Sequence, residues 1–385
     1  MDFDLTEEQT LLRASIDRMF DAAYAYAAQR KTWQAGPGGW NAEIWARYGE
    51  LGLLGLGFAE ADGGFGGGPV ETMLVMEAIG RTLALEPYLA TVVLGGGFLR
   101  FGGTAAQRAA LVPRIADGTL RLAFAHTERQ ARYDLADVAT SARRDGGGFV
   151  LDGAKSVVLH GDSAGMLVVS ARLSGARRAR DGIGLFLVPA DAPGVSRQGY
   201  ATQDGLRAAE VRLADVRLPA DAAIGDPADG LALIERVVDG AIAAVAAEAV
   251  GAMQALQQMT VAYLKTRQQF GTTIGSFQAL QHHAADMLVA LEQARSMAMY
   301  AAMLAEAPDD SERRTAMAAV KVQINESARQ IGEAAIQLHG GIAMTQEYQA
   351  GHYFRRLTMI GSLFGDTAHH LRALADAGGP GGTAG

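Results

Sequence analysis

Hydrophobic spacing changes twice along this chain, and that double change limits the fold more than any other feature. Up to about residue 119 apolar residues recur at helical intervals, as in Leu11, Leu12, Ile16, Met19 and Phe20. From Leu120 they gather into short β-branched or apolar runs: Phe149-Val150-Leu151, Val157-Val158-Leu159, Leu167-Val168-Val169 and Ile183 to Val188. After Pro227 helical spacing returns over long stretches near 231–264, 277–306 and 311–338, separated by Gly271, Pro308 and Gly340-Gly341. The chain has 385 residues, beyond the usual single-domain size of about 100 to 150. Each zone therefore has enough residues for its own layer or domain. The boundaries read 1–119 helical, 120–228 β, 229–377 helical bundle, and a disordered Gly-rich tail over 378–385.

Local signals sharpen this outline. Thr6 followed by Gln9 is a capping-box pattern, so a helix starts almost at once. Further helices are expected over Val70 to Leu83 and Ala105 to Ile115. Asp152-Gly153, between two apolar runs, predicts a hairpin turn, and Gly161-Asp162-Ser163 falls in a hairpin context. Ser174 to Asp181 reads as a longer hairpin tip whose Arg177-Arg178-Ala179-Arg180 cluster is solvated, with phosphate binding as the lesser reading.

Composition excludes several classes of chemistry. The net charge of −8 argues against a nucleic-acid surface. The absence of cysteine removes disulfides, thiol nucleophiles and iron–sulfur clusters. An acidic N-terminus without a basic and then apolar leader, and no run of about 18 apolar residues, predict a cytoplasmic protein without membrane insertion. No metal site is expected, because His282-His283 and His369-His370 are adjacent pairs that point to different helix faces and no HExxH spacing exists. No G-x-S-x-G elbow and no phosphate-binding glycine loop appear. The Arg267-Gln268-Gln269-Phe270-Gly271 corner instead places a cation, amides and an aromatic within a few residues, which suits a phosphate-bearing nucleotide as well as it suits an ordinary helix-ending turn.

The segment Arg267 to His282, RQQFGTTIGSFQALQH, followed by Gln337 to Thr345, QLHGGIAMT, and Glu347-Tyr348, resembles the acyl-CoA dehydrogenase family. Thr127-Glu128, Asp134 and Leu151 to Lys155 are similar to its middle-domain signatures, so the likeness runs over nearly the whole chain. The resemblance implies an α+β fold of N-terminal helices, a middle β-barrel and a C-terminal four-helix bundle. It also implies FAD as cofactor, α,β-dehydrogenation of an acyl-CoA thioester, and fatty acid metabolism as the setting. By the same resemblance Arg267, Gln269 and Phe270 contact the adenosine pyrophosphate part of FAD. Gln278, Gln337, Gly340 and Gly341 approach the cofactor of a neighbouring subunit, and His126, Thr127 and Thr367 meet it elsewhere. An oligomer follows, with electron-transfer flavoprotein as the acceptor.

Departures from the family pattern carry equal weight. Val157 and Leu159 stand where the family usually has Trp and Thr beside the flavin, and Tyr133 stands where a Ser often touches substrate. The two positions that carry the family's catalytic Glu hold Gly365 and Ala241, and Ile242 replaces an Arg near CoA. These features, with EPYLATVVLGGGFLR and TERQARYDLADVATSA, resemble the small subunit of pimeloyl-CoA dehydrogenase and similar heteromeric bacterial enzymes. Three readings stay open: a complete enzyme with Asp366 as base, an FAD-sharing subunit whose paralogous partner supplies the base in a heterotetramer, or a bundle without redox work. Asp366 reads equally well as a helix N-cap.

Overall fold

The computed structural model describes residues 4–25 and 27–378, so the expected tail lies, apart from Gly378, outside the described residues. Six helices come first: α1 Glu7–Ala23, α2 Ala27–Ala35, α3 Ala42–Glu50, α4 Pro69–Thr82, α5 Gly96–Gly102 and α6 Ala105–Ala116. Eight strands follow: β1 Leu122–Ala125, β2 Ser141–Asp145, β3 Gly148–Leu159, β4 Met166–Arg172, β5 Ile183–Pro189, β6 Val195–Ala201, β7 Arg207–Leu218 and β8 Ala223–Ile224. Then come α7 Leu231–Thr266, a small hairpin of β9 Gln268–Gln269 and β10 Thr272–Thr273, and α8 Gln278–Leu304, α9 Asp310–His339, α10 Ala350–Ser362 and α11 Thr367–Asp376.

The helix starts follow the sequence signals. The Thr6 hydroxyl accepts from the Gln9 amide while the Gln9 side chain accepts from the Thr6 amide, and Thr104 with Gln107 repeats the arrangement at α6. Each cap satisfies two amides that a helix end leaves without partners.

By contacts the described residues fall into two units. One takes its share of Met1–Arg30, Pro69–Ala84 and Ile242–Gly385, the other of Lys31–Gly68 and Leu85–Ala241. In the first unit α9 packs on α8, α10 and α11, and α4 approaches α7 at very short range. A β-carbon at Gly80 would lie 1.8 Å from the Glu248 carbonyl oxygen, and one at Gly251 would lie 1.9 Å from that of Glu77. Only glycine admits that approach.

In the second unit the strands form one sheet in the order β6-β7-β3-β2-β4-β5-β8, with β1 parallel to β4. The hydrogen-bonded path runs from β6 to β8 and builds the β domain expected between the two helical segments. One face carries a core of Leu151, Val158, Leu167, Val169, Phe186, Val188, Val211 and their neighbours.

Two turn expectations are corrected. Asp152-Gly153 lies inside β3, and the hairpin turn sits earlier, at Gly146-Gly147, both at positive φ. Gly153 occupies an irregularity in the pairing of β3 with β7, where Thr140 packs so closely that a β-carbon would meet its hydroxyl at 2.5 Å. The Asp152 carboxylate accepts from the Asp215 amide across the strands. Gly161-Asp162-Ser163 links β3 to β4, which lie on either side of β2 and do not pair. The tip between β4 and β5 is as expected, and Arg172 braces it by donating to the carbonyls of Ala136, Val138, Ser174, Arg177, Ala179 and Asp181. Arg177 and Arg178 pair with Asp137, and Arg180 with Glu235, so carboxylates already answer the exposed cluster.

Candidate functional site

Helix α7 ends at Thr266, and the chain turns back through β9 and β10 before α8 begins. Phe270 and Gly271 form the two-residue turn at φ 56 and 78, so this corner is a hairpin and not a plain helix-ending turn. That geometry pushes Phe270 outward to 90% exposure, with its ring edge-on to Phe277. Arg267 and Gln269 are exposed beside it, and Arg267 has no ion-pair partner among the described residues. Gln278, also exposed, opens α8.

The second cluster of expected residues lies in the same unit. Gln337 is exposed on the last turn of α9, and Gly340 breaks that helix at φ 67. A β-carbon at Gly340 or Gly341 would meet nothing within 4 Å, so the backbone there lies open. Tyr263, near the end of α7, packs against His339 with ring centroids 4.7 Å apart and planes tilted by 33°, which joins the end of α7 to the end of α9.

The corner between α10 and α11 holds Gly365, which the resemblance puts at one expected base position. Buried Lys321 donates to the Ile360 carbonyl at 2.7 Å and to Asn325 Oδ1, while Asn325 donates to the Gly361 carbonyl. Burial pushes Lys321 down to about 7 against the opposing pull of Asp366. Beyond this anchor Phe364 and Gly365 take φ 58 and 117. A β-carbon at Gly365 would stand 2.4 Å from His370 Nε2 and 2.7 Å from His369 Cδ2. No side chain fits there without moving both rings. Asp366 is exposed, and its Oδ1 accepts from the His369 amide at 2.8 Å as the N-cap of α11. Thr367, half-buried, is the first residue of that helix.

Ala241, the other position at which the resemblance led to the expectation of a base, lies in α7. Ala241 and Ile242 are buried in α7 at 0% and 3% exposure. Of the carboxylates on the same helix, Glu235 pairs with Arg180, Glu248 pairs with Arg356, and Asp239 is engaged within the fold.

In the sheet unit Thr127 is exposed and follows the buried His126, while Tyr133 is half-buried on the loop to β2. Val157 sits at φ 52 in the second irregularity of β3 and is 43% exposed, and Leu159 is half-buried at the strand end. Sequence reasoning missed the polar network behind His126. Lys155, fully buried, donates to Glu128 Oε1 at 2.7 Å, Ser170 Oγ at 3.0 Å and the His126 carbonyl at 3.2 Å. Burial alone would raise Glu128, but the Lys155 charge and hydrogen bonds from Lys155, Thr140 and Gln130 hold it down at about 2. Burial lowers Lys155 to about 8 despite Glu128. The available signal was a lysine inside an apolar strand, a residue rarely buried without a carboxylate partner.

Residues 6–119, 123–216 and 228–379 match the N-terminal, middle and C-terminal domains of acyl-CoA dehydrogenase. The probable acyl-CoA dehydrogenase YngJ of Bacillus subtilis is 33% identical over 90% of this chain and 92% of its own length. The chain belongs to the acyl-CoA dehydrogenase family. Among solved structures, a variant of the Tcur3481-Tcur3483 steroid ACAD aligns with a TM-score of 0.86 at 31% identity, covering 96% of this chain and 97% of that one. The FAD complex of PigA aligns at 0.89 and 25% identity over 98% of both chains.

Acyl-CoA dehydrogenases are FAD-dependent oxidoreductases, and the residues present here fit that cofactor. An outward aromatic next to an uncompensated guanidinium offers a stacking surface and a pyrophosphate partner, and the bare backbone at Gly340-Gly341 leaves room for close approach.

Proposed function

We propose that this chain acts in α,β-dehydrogenation of an acyl-CoA thioester as the FAD-holding subunit of a heteromeric acyl-CoA dehydrogenase, with a paralogous partner supplying the base. The observation that carries this reading is the closed corner at Gly365, where φ 117 and the His370 ring leave no space for a catalytic side chain. FAD, when bound, supplies the hydride acceptor.

Within that assembly Arg267 holds the pyrophosphate by a charge-assisted bond, Phe270 packs on the adenosine end, and Gln269 adds an amide contact. Gln278, Gln337, Gly340 and Gly341 face the cofactor of the adjoining subunit, so oligomerisation completes each site. His126, Thr127 and Thr367 contact FAD on this chain's side, and Tyr133 contacts substrate. The three segments 1–119, 120–228 and 229–377 serve as helical cover, β domain and assembly bundle. The substrate is a pimeloyl-CoA-like acyl thioester, the acceptor an electron-transfer flavoprotein, and the compartment the cytoplasm. Among the described residues no helix is long and apolar enough to cross a membrane.

A second reading keeps Asp366 as the base, because its carboxylate lies one residue from the usual place. Its N-cap bond to His369 and its exposure favour the structural role in the isolated chain. Anaerobic stopped-flow reduction by an acyl-CoA panel separates the two. The isolated chain should carry FAD without reducing it, the co-expressed complex should reduce it, and Asp366→Asn should change the complex little because an amide still caps the helix. A rate loss of about 10² to 10⁴ in Asp366→Asn would instead make Asp366 the general base.

A further inference from the structure

His126 follows β1, buried at 8% exposure, with its ring stacked on Phe124 at 5.1 Å between centroids and 8° between planes. Its Nδ1 lies 2.8 Å from Ser170 Oγ. An inventory of hydrogens decides which atom donates in that contact. The Lys155 ammonium has three hydrogens and three acceptors: Glu128 Oε1, Ser170 Oγ and the His126 carbonyl. Ser170 Oγ therefore accepts from the lysine, and its own single hydrogen has one partner among the described residues, His126 Nδ1. A ring nitrogen that accepts carries no proton, so the proton of the neutral imidazole resides on Nε2. Among the described residues Nε2 has no hydrogen-bond partner.

The alternatives are worse. A proton on Nδ1 would leave the serine hydroxyl hydrogen buried with nothing to bond, which costs the desolvation of an unpaired donor. The charged groups facing the ring are Lys155 and Glu128. Burial first and the Lys155 charge second push His126 down to about 3, with Glu128 offsetting only part.

We propose that the relay from Glu128 through Lys155 and Ser170 fixes His126 as a neutral Nε2–H donor directed to an acceptor atom of the flavin ring. The proposal rests on the FAD reading above and deepens it. A neutral donor strengthens as negative charge builds on the ring, so His126 raises the tendency of bound flavin to accept electrons. It does so without a pH-dependent charge of its own. Lys155 and Ser170 are positioning residues, since both act through the histidine.

The test uses holoprotein with ¹⁵N-labelled histidine, with His126 assigned by difference against His126→Leu. We expect the Nε2-protonated pattern for His126, unchanged between about pH 5 and 8, where an ordinary histidine titrates. Ser170→Ala should lose that fixed pattern and Ser170→Thr should keep it. The flavin midpoint potential should move to more negative values in His126→Leu and return towards wild type in His126→Gln, whose amide also accepts inward and donates outward. An Nδ1-protonated or titrating ring overturns the relay. The right tautomer with an unmoved potential in flavin-loaded His126→Leu overturns the donor role. With normal flavin content either result sinks this proposal alone, whereas a wild-type chain that takes up no flavin sinks the FAD reading with it.

Discussion

The Arg356 guanidinium grips the Glu248 carboxylate through two parallel bonds, Nε to Oε1 at 2.6 Å and Nη2 to Oε2 at 2.7 Å, with the side chains 7% and 4% exposed. This pair ties α10 to α7 in the first unit. Its attraction offsets the cost of burying two charges, so removing one partner differs sharply from removing both. Arg356→Met should lose about 3 to 5 kcal/mol of stability, because Glu248 stays buried without compensation, and Glu248→Leu should lose a similar amount. The double variant Arg356→Met with Glu248→Leu should lose far less than the two single variants summed. Urea unfolding of the three proteins measures both effects. Additive losses would show that the pair does not act as a unit.

Arg267 and Phe270 lie on the surface, so their replacement should leave stability within about 0.5 kcal/mol while FAD content falls. Loss of a charge-assisted bond at Arg267 corresponds to about 1.5 to 3 kcal/mol, or roughly 10- to 100-fold weaker FAD binding. Absorbance per chain after dialysis against limiting FAD gives the reading. Full flavin retention in both Arg267→Ala and Phe270→Ala would reject this corner as the dinucleotide site.

The sequence singled out the corner at Arg267 because a cation, an amide and an aromatic fall within four residues, but not the hairpin that presents them. Helix starts such as Thr6 with Gln9 and Thr104 with Gln107 were legible for the same reason: the capping partners are three residues apart. What escaped depends on distant partners. Asp152-Gly153 spells a turn locally, yet Thr140 against Gly153 and the Asp215 amide on Asp152 make it an irregular strand. Lys155 meets Glu128 across 27 positions and Ser170 across 15, so the buried relay exists only once β1, β3 and β4 are assembled. At position 365 the glycine was legible, but what requires it was not, because the backbone angle and the His370 ring are properties of the folded corner.

Acid should unfold this protein earlier than its carboxylates alone require. Burial first, then the His369 charge, lowers His370 to about 4, and burial with Lys155 lowers His126 to about 3, both from 6.5. Between about pH 6.5 and 4 the unfolded chain binds protons at these sites and the folded chain does not, so stability falls as pH falls. Each group contributes about 1.4 kcal/mol per pH unit across its window. Both contributions are fully present above pH 6.5, and that of His370 is exhausted below about 4. His370→Gln should flatten the slope of stability against pH by up to about 1.4 kcal/mol per pH unit within that interval. An unchanged slope, from urea titrations at matched ionic strength, would mean that His370 binds a proton equally in both states.

Restoring the family's glutamate at Gly365 should fail, and the reason is backbone geometry. The residue sits at φ 117, and a β-carbon there overlaps His370 Nε2 at 2.4 Å and His369 Cδ2 at 2.7 Å. His370 cannot retreat freely, because its Nε2–H donates to the Phe364 carbonyl at 3.0 Å and the ring is buried. A side chain forced into that backbone conformation costs about 1 to 3 kcal/mol before the clash is counted. Gly365→Glu and Gly365→Ala should therefore lower the thermal midpoint by similar amounts, since the β-carbon and not the carboxylate is at fault. Ala241→Glu meets no such angle and should destabilise by a different route, through an unpaired buried carboxylate whose pKa rises. None of the three should give the isolated chain acyl-CoA-dependent flavin reduction approaching that of the co-expressed complex. Rapid reduction by isolated Gly365→Glu at unchanged stability would show that the corner is open to a base, and would remove the argument for a catalytic partner.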